Sequence, residues 1–560
     1  MSRAPIFSSE PWALALIDDL HGQGSVAISG EGSCRAFSAT EGVLNWSGGG
    51  GLSPRAGPSF AWKGQVFSAW HVPAGHLATS RRADFELIWR SPKDGTSGSL
   101  VQKSVLERPE SSDTDSEAAK QGKFIDWLVH SFQELGQDEL QEMDAAAGGL
   151  VRRDWKRAEE IWLNPDANEP RIELIIRMAQ DRRLLDTLES ISQSPRRILL
   201  RVRENTPVSR VQELDAACLR NYARLPGRDA IEKAGTRQEL LSVQRRASHD
   251  TLENRITAWT INNLHLRSER WKRLHGVRAR TGTRYRAVSK LSRAAITHLT
   301  SAFIAAARYS TLSHPVSANY PLMMDPRYKR VYRAYRELLR YEKIKDESWT
   351  WRRVLWSEGV TQLLSCTLRR LFPELYSSRP YYRSEPDRGK WLLSPASPGP
   401  FATTEGTLFV IDAHEADLRA NGTLHPPDGS TDPVWSSIGV LGCDLILWWP
   451  DKKRFFPVWA NLWTGSSGDW LKLLDNAARA IGVFSRHLQE VDSGSVISRG
   501  LIIGTSLHGR DVDIDMASVE GATAVGIPVP MELDTQDIGA FSKLIETLQE
   551  AIELAVNLPG

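Results

Sequence analysis

The sequence predicts a multidomain α+β protein: a β-rich N-terminal domain, a large helical middle and a C-terminal α/β domain. Three observations carry that expectation. β-prone runs broken by glycines dominate residues 1–92. Apolar residues recur at three- and four-residue spacing from about Phe124 to Pro373. Beyond residue 349 a helix is followed by strand-like runs, a long amphipathic helix, two further strands and a closing helix.

The bulk numbers agree with that layout. A chain of 560 residues has length for several cores, and 41% hydrophobic with 25% charged residues is ordinary for a soluble globular protein. The opening residues, MSRAPIFSSEPWALALIDDL, hold no long apolar run and no cleavage-site pattern. No stretch approaches the length a membrane span needs, so no membrane partner is expected. Cys34, Cys218, Cys366 and Cys443 lie far apart, which argues against a structural zinc and for a reduced, cytoplasmic chain.

Within residues 1–92, SVAISG, RAFSAT, VLNWS, FAWKGQVFSAWHV and ADFELIWR read as strands. The run Gly48–Gly51 has no following GK[ST] and is a loop rather than a phosphate cradle. Residues 93–121 are polar and rich in Ser, Asp and Glu, the composition of a linker. Residues 122–348 are expected to form a basic helical domain, in which Ser248–Asp250 can cap a helix starting near Thr251. Residues 349–560 form the last domain.

Charge is unevenly spread. The net charge is only +2, yet Arg201–Val360 holds 32 Lys/Arg against 15 Asp/Glu, a net +17. The remainder therefore carries 2 − 17 = −15. A basic middle between acidic flanks points to a polyanion, with DNA the expected partner. Arg245, Arg246, Arg255, Lys272, Arg273, Arg278, Arg280, Arg284 and Arg286 are the candidate contacts, the alternative being a solvated helix surface. Tyr285, Tyr328, Tyr332 and Tyr335 stand among the arginines, placed either to stack on bases or to pack a helical core.

The stretch Gly442–Trp463, GCDLILWWPDKKRFFPVWANLW, reads as a strand, a polar turn and a second strand. Many metal-dependent nucleases carry such a hairpin, with an Asp on the first strand and an acid-x-Lys triplet on the second meeting at a divalent cation. Asp444 supplies the first acid. Where the triplet belongs, the chain reads Trp459-Ala460-Asn461. Tryptophan does not ligate magnesium and asparagine does not replace an ammonium, so the hairpin reads as a site without its chemistry. Trp448, Trp449, Trp459 and Trp463 are expected to pack the sheet on helices.

The central block EKAGTRQELLSVQRRASHDTLENRITAW, with LLRVRENTPV before it and LWSEGVTQLL after it, resembles the McrC-like proteins of bacterial defence loci. The resemblance runs roughly from Arg196 to Val556 and is most specific at Asp250–Arg255. It implies an uncharacterised helical domain joined to a restriction-endonuclease-like PD-(D/E)XK fold, and other defence-system subunits as partners, an AAA+ motor among them. The first-helix acid falls on Glu358, the metal-holding acid on Asp444, and the Lys of the triplet on Asn461. These residues are vestigial candidates, and a DNA-binding, non-catalytic subunit with no cofactor is the expected function. A retained magnesium-dependent activity would need a rearranged site. It would draw on Lys452, Lys453 or Asp469, or on Asp412 with His414 and Glu415 nearby. Asp511 and Asp513 offer a further acidic pair, and a structural bridge that touches no DNA is the remaining alternative.

Overall fold

A computed structural model describes residues 174–279, 282–312, 315–372, 380–387, 389–393, 400–403, 406–420, 433–462, 467–506, 513–531 and 538–557. Before residue 174 it describes 6–8, 10–16, 25–30, 33–38, 43–46, 55–62, 65–73, 83–90, 97–104, 117–136, 150–152, 155–156 and 159. The chain contains both helices and sheets, as an α+β protein should. It divides into two compact units, one formed by Met1–Arg171 with Lys343–Gly560 and the other by Ile172–Glu342. Residues 122–171, expected in the helical domain, thus share a unit with the C-terminal part.

The first unit is built on a seven-stranded mixed sheet. In spatial order its strands are Phe401–Thr403, Gly406–Asp412, Leu445–Trp449, Arg454–Asn461, Arg499–Ser506, Ala522–Pro530 and Asp515–Val519. The first four form an antiparallel meander. Helix Ser467–Val491 then carries the chain across to Arg499–Ser506, which runs parallel to Arg454–Asn461 with Val458 beside Leu501. A strand covered on both faces is apolar throughout rather than alternating, and residues 500–506 are all buried.

Each face of this sheet has its own core. Leu445, Leu447, Phe456, Val458 and Ala460 meet helices Arg352–Leu371 and Ile538–Asn557. Ile446, Phe455 and Trp459 meet helices Pro433–Ile438 and Ser467–Val491. The alternation follows from the pleat, which sends successive side chains to opposite faces. Trp356 ties the first helix layer to the sheet by donating its indole N–H to the Ile503 carbonyl at 3.2 Å.

The N-terminal residues contribute two further sheets. One orders Ile6–Ser8, Ser25–Gly30, Ser33–Ser38, Gln65–Pro73 and Arg55–Trp62, and the other Val43–Trp46, Ala83–Arg90 and Ser97–Ser104. Ser97–Ser104 pairs along its whole length with Ala83–Arg90, so part of the stretch read as a linker is a strand. Trp12 and Trp62 from this region are fully buried in the core beneath Trp459.

The second unit is mainly helical. Arg182–Gln193, Leu252–Ala279, Thr283–Leu299 and Tyr320–Met324 surround a core that includes Leu188, Ile261, Leu291, Tyr328 and Tyr335. One element departs from the helical expectation. Ile198–Pro207 and Glu239–Ser248 pair antiparallel over ten residues each, forming a two-stranded ribbon. Arg, Leu, Glu and Gln in these runs are helix formers. The alternation of Arg201, Val202 and Arg203 is the strand signal they obscure. The ribbon contributes no residue to the helical core.

Tryptophan packing explains two glycines of the first unit. A Cβ on Gly500 would stand 2.6 Å from the Trp459 ring, and one on Gly504 would stand 2.5 Å from the Trp470 ring. Both rings come this close to the strand because no side chain projects there. Gly504→Ala is expected to destabilise the protein by about 1–3 kcal/mol through overpacking. Denaturant unfolding of the variant, alone and with Trp470→Leu, checks this: the second change should recover part of the loss.

Candidate functional site

Asp444 sits at the entry to strand Leu445–Trp449, one step beyond the Leu445–Val458 pair and so opposite Trp459. It is buried, and its carboxylate Oδ2 accepts the Ala460 N–H at 2.9 Å. Its own N–H donates to the Val458 carbonyl, and its carbonyl accepts the Ala413 N–H. The side chain therefore extends the ladder where regular pairing ends, which is a structural task.

Trp459 is fully buried. Its indole N–H donates to the Leu441 carbonyl at 2.8 Å, and Trp12 meets it edge to face with centroids 5.0 Å apart. Asn461 ends the strand half-buried, beside Gly504. These residues do not fit a divalent cation: the carboxylate is engaged, the facing side chain is an indole, and hard cations take oxygen ligands. Among the described residues no three His, Cys, Asp or Glu side chains gather as metal ligands.

Glu358 lies on helix Arg352–Leu371, buried against the other face of the sheet. Its carboxylate accepts the Trp391 N–H at 2.6 Å and the Leu392 N–H at 3.2 Å, clipping the helix to strand Lys390–Leu392. Burial raises its pKa to about 8, against the opposing pull of the two N–H groups and of Lys390, while Asp412 adds to the rise. Asp412 in turn accepts the Glu415 N–H at 2.7 Å at the start of helix Ala413–Ala420. Glu415 pairs with Arg419 at 2.9 Å, and burial raises its pKa. The His414 side chain lies outside the described residues.

The lysines considered as migrated partners are elsewhere. Lys453 is in the hairpin turn, at the end of the strand away from Asp444, about 17 Å along a five-residue strand. It pairs with Asp492 at 3.0 Å. Lys452 is in the same turn. Asp469 is exposed near Lys472. Asp513 is exposed, and Asp511 lies outside the described residues.

The candidate DNA contacts fall into two groups. Arg245 shares Glu213 with Arg201 directly across the ribbon, at 3.1 Å from the former. Arg246 pairs with Glu204. Beside them Arg203 pairs with Asp215, which its guanidinium holds well below the usual carboxylate range. Arg255 forks onto Asp250 at 2.6 and 2.8 Å, which lowers the Asp250 pKa to about 2. Lys272 pairs with Glu269 at 2.5 Å. These cations already face acids.

Arg273 and Arg286 are exposed, and Arg284 is half-buried. Arg278 is within helix Leu252–Ala279, its side chain outside the described residues, as is the whole of Arg280. Lys290 and Arg293 stand outside the set of candidate contacts. Both are exposed, and they extend Arg286 at i+4 and i+7 into one line along helix Thr283–Leu299. The tyrosines resolve toward packing: Tyr328 and Tyr335 are buried, Tyr328 donates to Asn254 Oδ1 at 2.8 Å, and Tyr332 donates to the Val316 carbonyl.

Asp250–Arg255, the most specific part of the resemblance, forms a polar staple. Thr251 rather than Ser248–Asp250 accepts at the helix start, from the Asn254 N–H. Asn254 donates to the Arg196 and His249 carbonyls, and buried Glu253 accepts from Arg196 and Asn319. A satisfied buried network of this kind fixes one arrangement of the helices around it.

Two measurements check these assignments. Asp444→Ala should cost about 1–3 kcal/mol by leaving the buried Ala460 N–H unpaired, and Asp444→Asn, which keeps an acceptor, should cost less. Equal losses in chemical denaturation would refute the structural role. For Glu358 the folded state binds a proton more tightly than the unfolded chain, so its contribution to stability is full below about pH 4.5. It declines as pH rises toward about 8. Glu358→Gln, which stays neutral, should remove that decline when melting temperatures are compared from pH 5 to 9.

A family model described as a domain of unknown function (DUF2357) matches residues 164–335, nearly the span of the second compact unit. No curated protein matches the chain.

Proposed function

We propose that the protein is a DNA-binding, non-cleaving subunit of a bacterial anti-phage defence system of the McrC-like kind. In this reading the C-terminal α/β domain is a degenerate restriction-endonuclease-like fold used for binding or assembly. Other subunits, an AAA+ motor among them, supply any work on the DNA. The observation that carries the proposal is the charge of the second unit. Ile172–Glu342 holds 33 Lys/Arg against 16 Asp/Glu, a net +17, in a chain whose total is +2. A compact body with that excess attracts a polyanion at physiological salt. The non-catalytic half of the proposal rests on Trp459, which fills the position facing Asp444.

A second reading, a magnesium-dependent endonuclease with a rearranged site, draws on one observation. Glu358, Lys390 and Asp412 are close enough for the charges of the last two to act on the first.

The deciding experiment mixes the full chain with supercoiled plasmid and linear duplex, with magnesium or manganese, beside Asp444→Asn and Asp412→Asn. The expected outcome is retarded, intact DNA, with affinity falling by about 10³-fold or more from 50 to 200 mM salt. Metal-dependent nicking lost in Asp412→Asn would favour the rearranged site. If no retardation occurs at 50 mM salt, the DNA-binding reading falls and a bridging role takes its place.

A further inference from the structure

We infer that the outward face of helix Pro326–Thr350 is the principal phosphate contact of this chain, a row formed by Lys329, Arg333, Arg336 and Arg340 that follows the backbone of duplex DNA. This rests on the DNA-binding reading above and adds to it the surface and the mode, which is backbone contact without base readout.

The geometry is that of a single stripe. Spacings of four, three and four residues place the four cations on one face of an α-helix, over about 16 Å of its length. All four are exposed. The opposite face fixes the direction of the stripe, because Tyr328, Val331, Tyr335 and Leu338 are buried in the helical core. Hydrogen bonds lock the rotation further: Tyr328 is held by Asn254 and Arg196, and the Tyr335 hydroxyl accepts the Val316 N–H.

The electrostatics set this row apart from the arginines of the two-stranded ribbon. Lys329, Arg333 and Arg336 have no acidic partner among the described residues. Two acids of the same helix pair with other elements, Glu337 with Arg177 at 3.1 Å and Glu342 with Arg267. Like charges three and four residues apart destabilise a helix. A row of this kind therefore opposes its own folding unless an external anion meets it. Arginines 201, 203, 245, 246 and 255, by contrast, each face a carboxylate within the unit. Regularly spaced, exposed cations on one helix face suit a phosphate backbone, which needs charge and forked donors only.

The test measures binding of the full chain to a fluorescent duplex as a function of salt. Each phosphate contact contributes about 0.9 to the slope of log affinity against log salt. Replacing all four residues with Gln (K329Q/R333Q/R336Q/R340Q) should lower the magnitude of the slope by about 3.6. The pair R333Q/R336Q should lower it by about 2, guarding against a folding defect in the larger variant. The charge-keeping set R333K/R336K/R340K should leave it unchanged, as should R201Q/R203Q at two acid-paired arginines outside the candidate contacts. Melting temperatures of the Gln variants should equal or exceed the wild-type value, since like-charge repulsion is relieved. If the wild type binds and the Gln variants keep its slope, the row is not the contact while the DNA reading survives. If the wild type itself does not bind, both fall.

Discussion

The C-terminal sheet is organised around one packing constraint, the burial of the Trp459 indole between the sheet and its covering segments. The ring needs a bare surface beneath it, and Gly500 provides that on the neighbouring strand. Its N–H needs an acceptor, and the Leu441 carbonyl meets it just before the hairpin begins. Its outer edge needs cover, and Trp12 from the far end of the chain supplies it. An indole buries more apolar area than almost any other side chain, and its single polar atom is costly unless bonded. All three requirements are met at a position where a metal-dependent hairpin would hold a carboxylate in contact with solvent. Asp444, on the facing strand, is a backbone partner for Ala460.

The second unit shows the opposite treatment of polar groups. Its charges are divided between arginines locked onto acids and arginines left facing outward. The locked ones lie mainly on the two-stranded ribbon and at the start of helix Leu252–Ala279. Exposed pairs of this kind add little stability, on the order of 0–1 kcal/mol each. Their effect is on geometry: Glu213 holds two guanidiniums that would otherwise repel across the ribbon. The staple at Asn254 and Glu253 is buried and fully partnered, so it positions the helices that carry the remaining charge. The net +17 thus understates how uneven the surface is, since the neutralised arginines are concentrated in a few places.

How much of this was legible in the sequence depends on period and contrast. The hairpin at Leu445–Asn461 stood out because apolar runs flank a turn of Pro, Asp and Lys, and its register placed Asp444 opposite Trp459 as the spacing implied. The helices of the second unit were legible from their three- and four-residue spacing. The ribbon was not, because its residues are good helix formers and its partners are 36 positions apart or more at most pairs, beyond any local pattern. The arginine clusters were visible as charge, but which cations already hold an acid depends on the fold: Glu213 meets Arg245 from 32 residues away. Tyr328 and Tyr335 illustrate the same limit from the other side, since only the packed helices reveal them as core.

The two units also differ in how readily they would accommodate a new charged site. A carboxylate at position 459 would be buried among Trp12, Gly500 and the sheet, and an unpaired buried charge costs several kcal/mol or forces neutralisation. The compensating changes would have to include the N-terminal segment and the neighbouring strand together. A line of surface cations carries no such coupling, because each residue is solvated and is replaced at small cost. On the reading proposed here, the fold retains its hydrophobic architecture as a rigid platform, while function has moved to a surface that packing does not constrain. On that reading the hairpin is free to be apolar, and the charge of the second unit is free to lie on its surface.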